Sequence, residues 1–76
     1  FEKIRPHFFK SLSVNFPNLT PNDLKHCYYI VTGLSSSEVS ELINLAVRSV
    51  ETSRYRIKRK LKLPREVSLF DFLNRY

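Results

Sequence analysis

Helix punctuation constrains this chain more than any other feature of its sequence. Glycine occurs once in 76 residues, at Gly33, and short apolar periods are divided by Ser, Thr and Pro where helices begin. Thr20-Pro21-Asn22-Asp23 is a start signal. Thr20 caps, Pro21 fits the first helical position, where no N–H is needed, and Asp23 can reach back to the cap. Leu24, Cys27, Tyr28 and Val31 follow at i, i+3, i+4 and i+7, which predicts one buried stripe. Gly33 stands where the exit from that helix needs a left-handed residue. Ser35-Ser36-Ser37-Glu38 is a second start, with Val39, Leu42 and Ile43 as the apolar face and Asn44-Leu45 as the turn. From Ala46 or Val47 a longer helix runs to about Leu61, carrying Val50, Ile57 and Leu61 on one stripe, and Pro64 bars its extension. Ser68-Leu69-Phe70-Asp71 caps a last helix with Leu69, Phe72 and Leu73 turned inward. Upstream, Ile4, Phe8, Phe9 and Leu12 predict a short helix, with Pro6 in its first turn and Phe16-Pro17-Asn18 at its end. Phe8, Phe9 and Phe16 are expected in the core. No alternating strand pattern or internal repeat occurs, so the chain reads as all-α.

The same composition excludes much chemistry. One glycine rules out Gly-rich phosphate cradles, and one thiol, Cys27, rules out a disulfide framework. The wheel position of Cys27 makes it a buried apolar filler. His26 and Cys27 are adjacent on a helix and cannot supply a tetrahedral metal set, so neither metal nor cofactor is expected. Asp23, Glu38 and Glu41 have no nucleophile beside them and read as caps and ion pairs, not catalytic carboxylates. His7 reads as a surface or cap residue. Arg54 lies at the edge of the buried stripe, its stem expected to pack and its head to pair with Glu38 or Glu41. No catalytic residue emerges, and the chain is read as a non-enzyme. No apolar run approaches the roughly 18–20 residues of a membrane span, and there is no signal-peptide pattern. Methionine is absent even at position 1, which suggests a processed or excised piece of a longer cytoplasmic protein.

Charge then gives the chain a direction. The formal net charge is +6, and from Arg48 to Glu66 eight cations face two acids, while the remainder is neutral. Such localisation is the electrostatic footprint of a surface for a polyanion. Two helices joined by a short turn, the second one basic, describe a helix-turn-helix. On a wheel of the second helix, Arg48, Thr52, Tyr55 and Arg59 fall opposite Val50, Ile57 and Leu61, flanked by Glu51, Arg56 and Lys62. Hydrogen-bonding side chains near the start and cations toward the end suit base reading and phosphate clamping respectively.

These residues also carry a resemblance. Leu19-Thr20-Pro21, Gly33-Leu34-Ser35, Glu38-Val39, Glu41-Leu42, Val47, Ser49-Val50-Glu51 and Lys60-Leu61 together resemble the LuxR-type (GerE) helix-turn-helix domain of bacterial transcription regulators. The likeness extends from Leu19 to Leu63. The chain departs from that pattern where Asn22-Asp23 replaces Arg-Glu, Ser40 replaces Ala, Ala46 replaces a Ser cap and Ser53 stands at a common His position. The resemblance implies a four-helix LuxR-type helix-turn-helix domain over residues 19–76, with an additional N-terminal helix in an extension over residues 1–18. It implies sequence-specific binding of double-stranded DNA, with a recognition helix at about 46–61 in the major groove. Glu51, Thr52, Tyr55 and Arg56 are then expected at base edges, and Arg48, Ser49, Arg59, Lys60 and Lys62 at phosphates. Ser49 reads equally as a helix-start cap, and Glu51 as an acid that pairs locally and excludes wrong bases. The last helix often forms a dimer contact in that family, which points to Phe70 and Tyr76 and to a homodimer on DNA. Such domains end longer chains of response-regulator or sensor type, so upstream receiver or sensor domains are expected. The alternatives are a protein–protein module, docking through the Phe8/Phe9 and Phe70–Tyr76 helices with the basic face merely solvated, and a basic helix on an anionic membrane.

Overall fold

The computed structural model describes residues 7–75, and among them five helices and no strand occur. They are α1 (Phe8–Asn15), α2 (Pro21–Val31), α3 (Ser36–Ile43), α4 (Val47–Lys60) and α5 (Leu69–Asn74). Ile4, Pro6 and Tyr76 lie outside the described residues.

Local chemistry fixes the helix starts. The Thr20 hydroxyl accepts the Asp23 N–H at 3.1 Å while the Asp23 carboxylate accepts the Thr20 N–H at 2.9 Å. Ser35 and Glu38 make the same reciprocal pair at 3.1 and 2.8 Å. Ser68 accepts the Asp71 N–H at 3.0 Å. Each bond satisfies a donor that the first helical turn leaves without an internal partner. The backbone bond from Ser35 holds the exposed Glu38 carboxyl below its ordinary pKa.

The exits of α2, α3 and α4 use left-handed residues, only one of which is glycine. At Gly33 (φ 86°) the Leu34 N–H donates to the Tyr29 carbonyl and the Gly33 N–H to that of Ile30, a Schellman closure of α2. Lys62 (φ 57°) closes α4 in the same way, with Leu63 N–H on Lys58 and Lys62 N–H on Arg59. Asn44, also at φ 57°, ends α3 and opens the three-residue turn into α4.

The core joins the helices through Phe8 and Leu12 of α1, Cys27 and Ile30 of α2, Ile57 of α4 and Leu73 of α5, with Leu19 and Leu61 from the connections. Phe9, Phe16 and Phe72 pack around it, Phe16 meeting Phe72 edge to face at 6.1 Å. Residues of the N-terminal extension therefore belong to the same core as the helix-turn-helix. Val39 of α3 and Val50 of α4 are fully buried where those two helices pack together.

Two packing expectations need correction. The buried line of α2 is Asp23, His26, Cys27 and Ile30, whereas Leu24, Tyr28 and Val31 are only half-buried. Both lines have helical spacing; contacts with both α4 and α5 select the one that contains polar residues. On α3, Leu42 is 63% exposed instead of buried. At about 100° per residue it sits some 60° from Val39, outside the narrow strip that a single neighbour covers.

Candidate nucleic-acid interface

The turn between α3 and α4 places α4 with one side on the core and the other in solvent. Val50 and Ile57 are fully buried, while Arg48, Ser49, Glu51, Thr52, Tyr55, Arg56 and Arg59 are all exposed. Lys62 is exposed just beyond the helix. The outward face therefore gathers four cations, two hydroxyls, a phenol and one carboxylate.

That face has two halves. Ala46, Arg48, Ser49, Thr52, Ser53 and Arg56 line a shallow depression of about 450 Å³ at the start of α4. The Thr52 hydroxyl donates to the Arg48 carbonyl at 2.9 Å, which leaves its methyl group and oxygen lone pairs outward. Tyr55, 62% exposed, lies instead toward α5, in a groove shared with Ile30, Arg54, Lys58, Leu69 and Phe70. The Arg59 guanidinium sits 5.9 Å from the Tyr55 ring centre, within cation–π range, and so is held along the same side.

The start of α4 has no side-chain cap, because Ala46 occupies the cap position, and no acid stands in its first turn. Ser49 is the third helical residue, where it is not a cap; its N–H donates to Ala46. The helix end carries Lys58, Arg59 and Lys60, which complement its negative pole.

Two basic residues are tied inward. Lys60 is half-buried and forms an ion pair with Asp23 of α2, so its ammonium is already engaged by the folded chain. Burial raises the Asp23 pKa, but Lys60 and the Thr20 bonds together outweigh it and hold the carboxyl below its ordinary value. Arg54 does not pair with Glu38 or Glu41. Its Nη2 donates to the Leu34 carbonyl at 2.8 Å, because its half-buried position reaches the loop that closes α2 before it reaches α3's exposed acids. The wheel offers a signal for Lys60, which lies nearer Ile57 than Arg59 does; nothing in residue type marks the Leu34 carbonyl as a target.

The remaining residues settle quickly. Cys27 is fully buried, and burial pushes its thiol up to about 12, so it is inert as a nucleophile. His7 is exposed and makes no cap bond. Phe70 is 47% exposed. Among the described residues no group of three or more His, Cys, Asp or Glu is placed to hold a metal, and no helix is long and apolar enough to cross a membrane.

A family model, GerE of the bacterial regulatory proteins of the luxR family, matches residues 17–73. No curated protein and no solved structure gives a match.

Proposed function

Because this chain belongs to the luxR family of bacterial regulatory proteins, which bind DNA through a helix-turn-helix, we propose that it binds double-stranded DNA sequence-specifically, with α4 in the major groove. The observation that carries this reading is the outward face of α4. The chain's excess charge is concentrated around it, and its leading half presents hydrogen-bonding side chains.

Each residue has a chemical task in this reading. Arg56 offers a bidentate donor pair to guanine, Glu51 accepts from a cytosine amino group, the Thr52 methyl meets a thymine methyl, and the Tyr55 phenol donates to a base acceptor. Arg48, Ser49, Arg59 and Lys62 hold phosphates on either side. The uncapped backbone N–H groups at the start of α4 suit a further phosphate oxygen. Lys60 contributes to phosphate binding more weakly than its neighbours, since Asp23 competes for its charge.

One recognition helix reads few base pairs, so two half-sites and two copies are expected on DNA, with Phe70 and Tyr76 of the terminal segment at the contact. The chain would then serve as the output domain of a longer cytoplasmic regulator, coupled to sensor or receiver domains.

Selection of bound duplexes from a random pool tests specificity. Enrichment of one site is expected, and Thr52→Ala or Arg56→Ala should cost about 1–3 kcal/mol on that site and less on random DNA. No enrichment, or equal losses on both, would reduce these residues to backbone contacts.

A further inference from the structure

Beside the outward face of α4, a groove of about 300 Å³ opens toward α5, lined by Ile30, Tyr55, Lys58, Leu69 and Phe70. Tyr55 and Phe70 are exposed large side chains on its walls. The charged residues of its lining, Arg54 and Lys58, are both cations, and no carboxylate is among them. Arg54 is turned to the Leu34 carbonyl, whereas the Lys58 ammonium makes only a 3.3 Å bond to the Arg65 carbonyl. A carboxylate would make the shorter and stronger bond to that ammonium. Arg59, over the Tyr55 ring, brings a further cation to the rim. The groove therefore suits an apolar side chain accompanied by an acid.

A surface of that character lies on the same chain. In a molecule of net charge +6, α3 carries Glu38 and Glu41 and no cation. At about 100° per residue Glu38, Glu41 and Leu42 share one side of the helix, and all three are exposed. Leu45 and Val47, also exposed, follow across the turn. None of these residues lines the groove. DNA gives them no task, since phosphates repel carboxylates and base reading falls to α4. An apolar patch bordered by charge is the usual mark of a protein contact.

We propose that a second copy of this chain fills the groove head to tail, its Leu42 and Leu45 packing on Tyr55, Leu69 and Phe70 while its Glu41 pairs with Lys58. Each copy then offers α3 to one neighbour and its α4–α5 groove to another, a heterologous contact. Phe70 stays at the interface between copies but meets leucine instead of another Phe70. Charge favours this arrangement over two-fold pairing of grooves, which would set Lys58 against Lys58. The depression at the start of α4 lies on the other half of that face and stays open to DNA. A few exposed apolar side chains fall short of the roughly 1,200 Å² of a stable interface, so the contact is weak between free chains. It strengthens where DNA holds two copies side by side.

Amide NMR of the free chain, raised from micromolar to millimolar concentration, tests this without DNA. Signals from α3 and its turn and from the groove should shift together, and less at high salt, which screens the Glu41–Lys58 pair. Leu42→Asp spoils the α3 surface and Phe70→Asp the groove; both positions are exposed, and circular dichroism checks that the helices are kept. Either variant alone should show no dependence on concentration. Mixed, they should restore the shifts, in the groove of the Leu42→Asp chain and the α3 of the Phe70→Asp chain, and sedimentation should stop at two copies. No shift up to millimolar concentration, shifts at the groove alone, or a mixture that behaves like its separate components overturns the proposal. Should Phe70→Asp not fold, Lys58→Glu takes its place. If the free chains associate in this way and no duplex binds, the contact stands and the DNA reading fails; if duplexes bind and free chains never associate, the reverse holds.

Discussion

Lys62 shows how one residue can serve structure and charge together. It holds φ 57° at the exit of α4, where a β-carbon costs roughly 1–2 kcal/mol relative to glycine. Lys62→Gly should therefore stabilise the fold by about 0.5–1.5 kcal/mol, read as a higher urea midpoint at high salt. A lower midpoint would mean that the lysine stem packs more than its exposure implies. The sequence marks Gly33 as a left-handed exit because glycine is the residue chemistry prefers there, but a lysine carries no such mark. His26 and Asp23 were hidden for a related reason. Polar residue types argue against burial; Asp23 is buried beside Lys60, a partner brought across from a distant part of the chain, and His26 is buried with its Nδ1 unpartnered.

At the level of elements, the starts of α2, α3 and α5 were legible because Thr20, Ser35 and Ser68 bond within three residues of themselves. Which face each helix buries was less so. The α4 stripe of Val50, Ile57 and Leu61 is legible because no competing apolar line exists on that helix, whereas α2 offers two. The outward face of α4 followed directly from its stripe. Its start, like that of α1, lacks a side-chain cap, with Ala46 leaving the first turn uncapped. Ala46→Ser should supply that cap and stabilise the chain by about 1 kcal/mol, seen as a raised melting temperature. If the serine leaves the melting temperature unchanged, the first turn of α4 is already satisfied by other groups.

For the whole molecule, charge and core are divided between opposite sides of one helix. The core draws on α1, α2, α4 and α5, which leaves α3 and the outward half of α4 as the projecting helix-turn-helix. Localised charge was visible in the sequence, since it needs only counting; the diversion of Lys60 to Asp23 was not, because it is a tertiary contact between residues 37 apart. The central claim is that the exposed cations of α4 meet DNA phosphates. Its most direct test is duplex affinity against salt for the native chain, Arg48→Ala/Arg59→Ala and a Lys10→Ala control on α1. The native chain should bind with a steep linear fall of log affinity against log salt, and the double variant should flatten that slope by about 0.9 per lost contact, or nearly two units, with Lys10→Ala unchanged. A slope that the double variant leaves as steep as the native one would contradict the account.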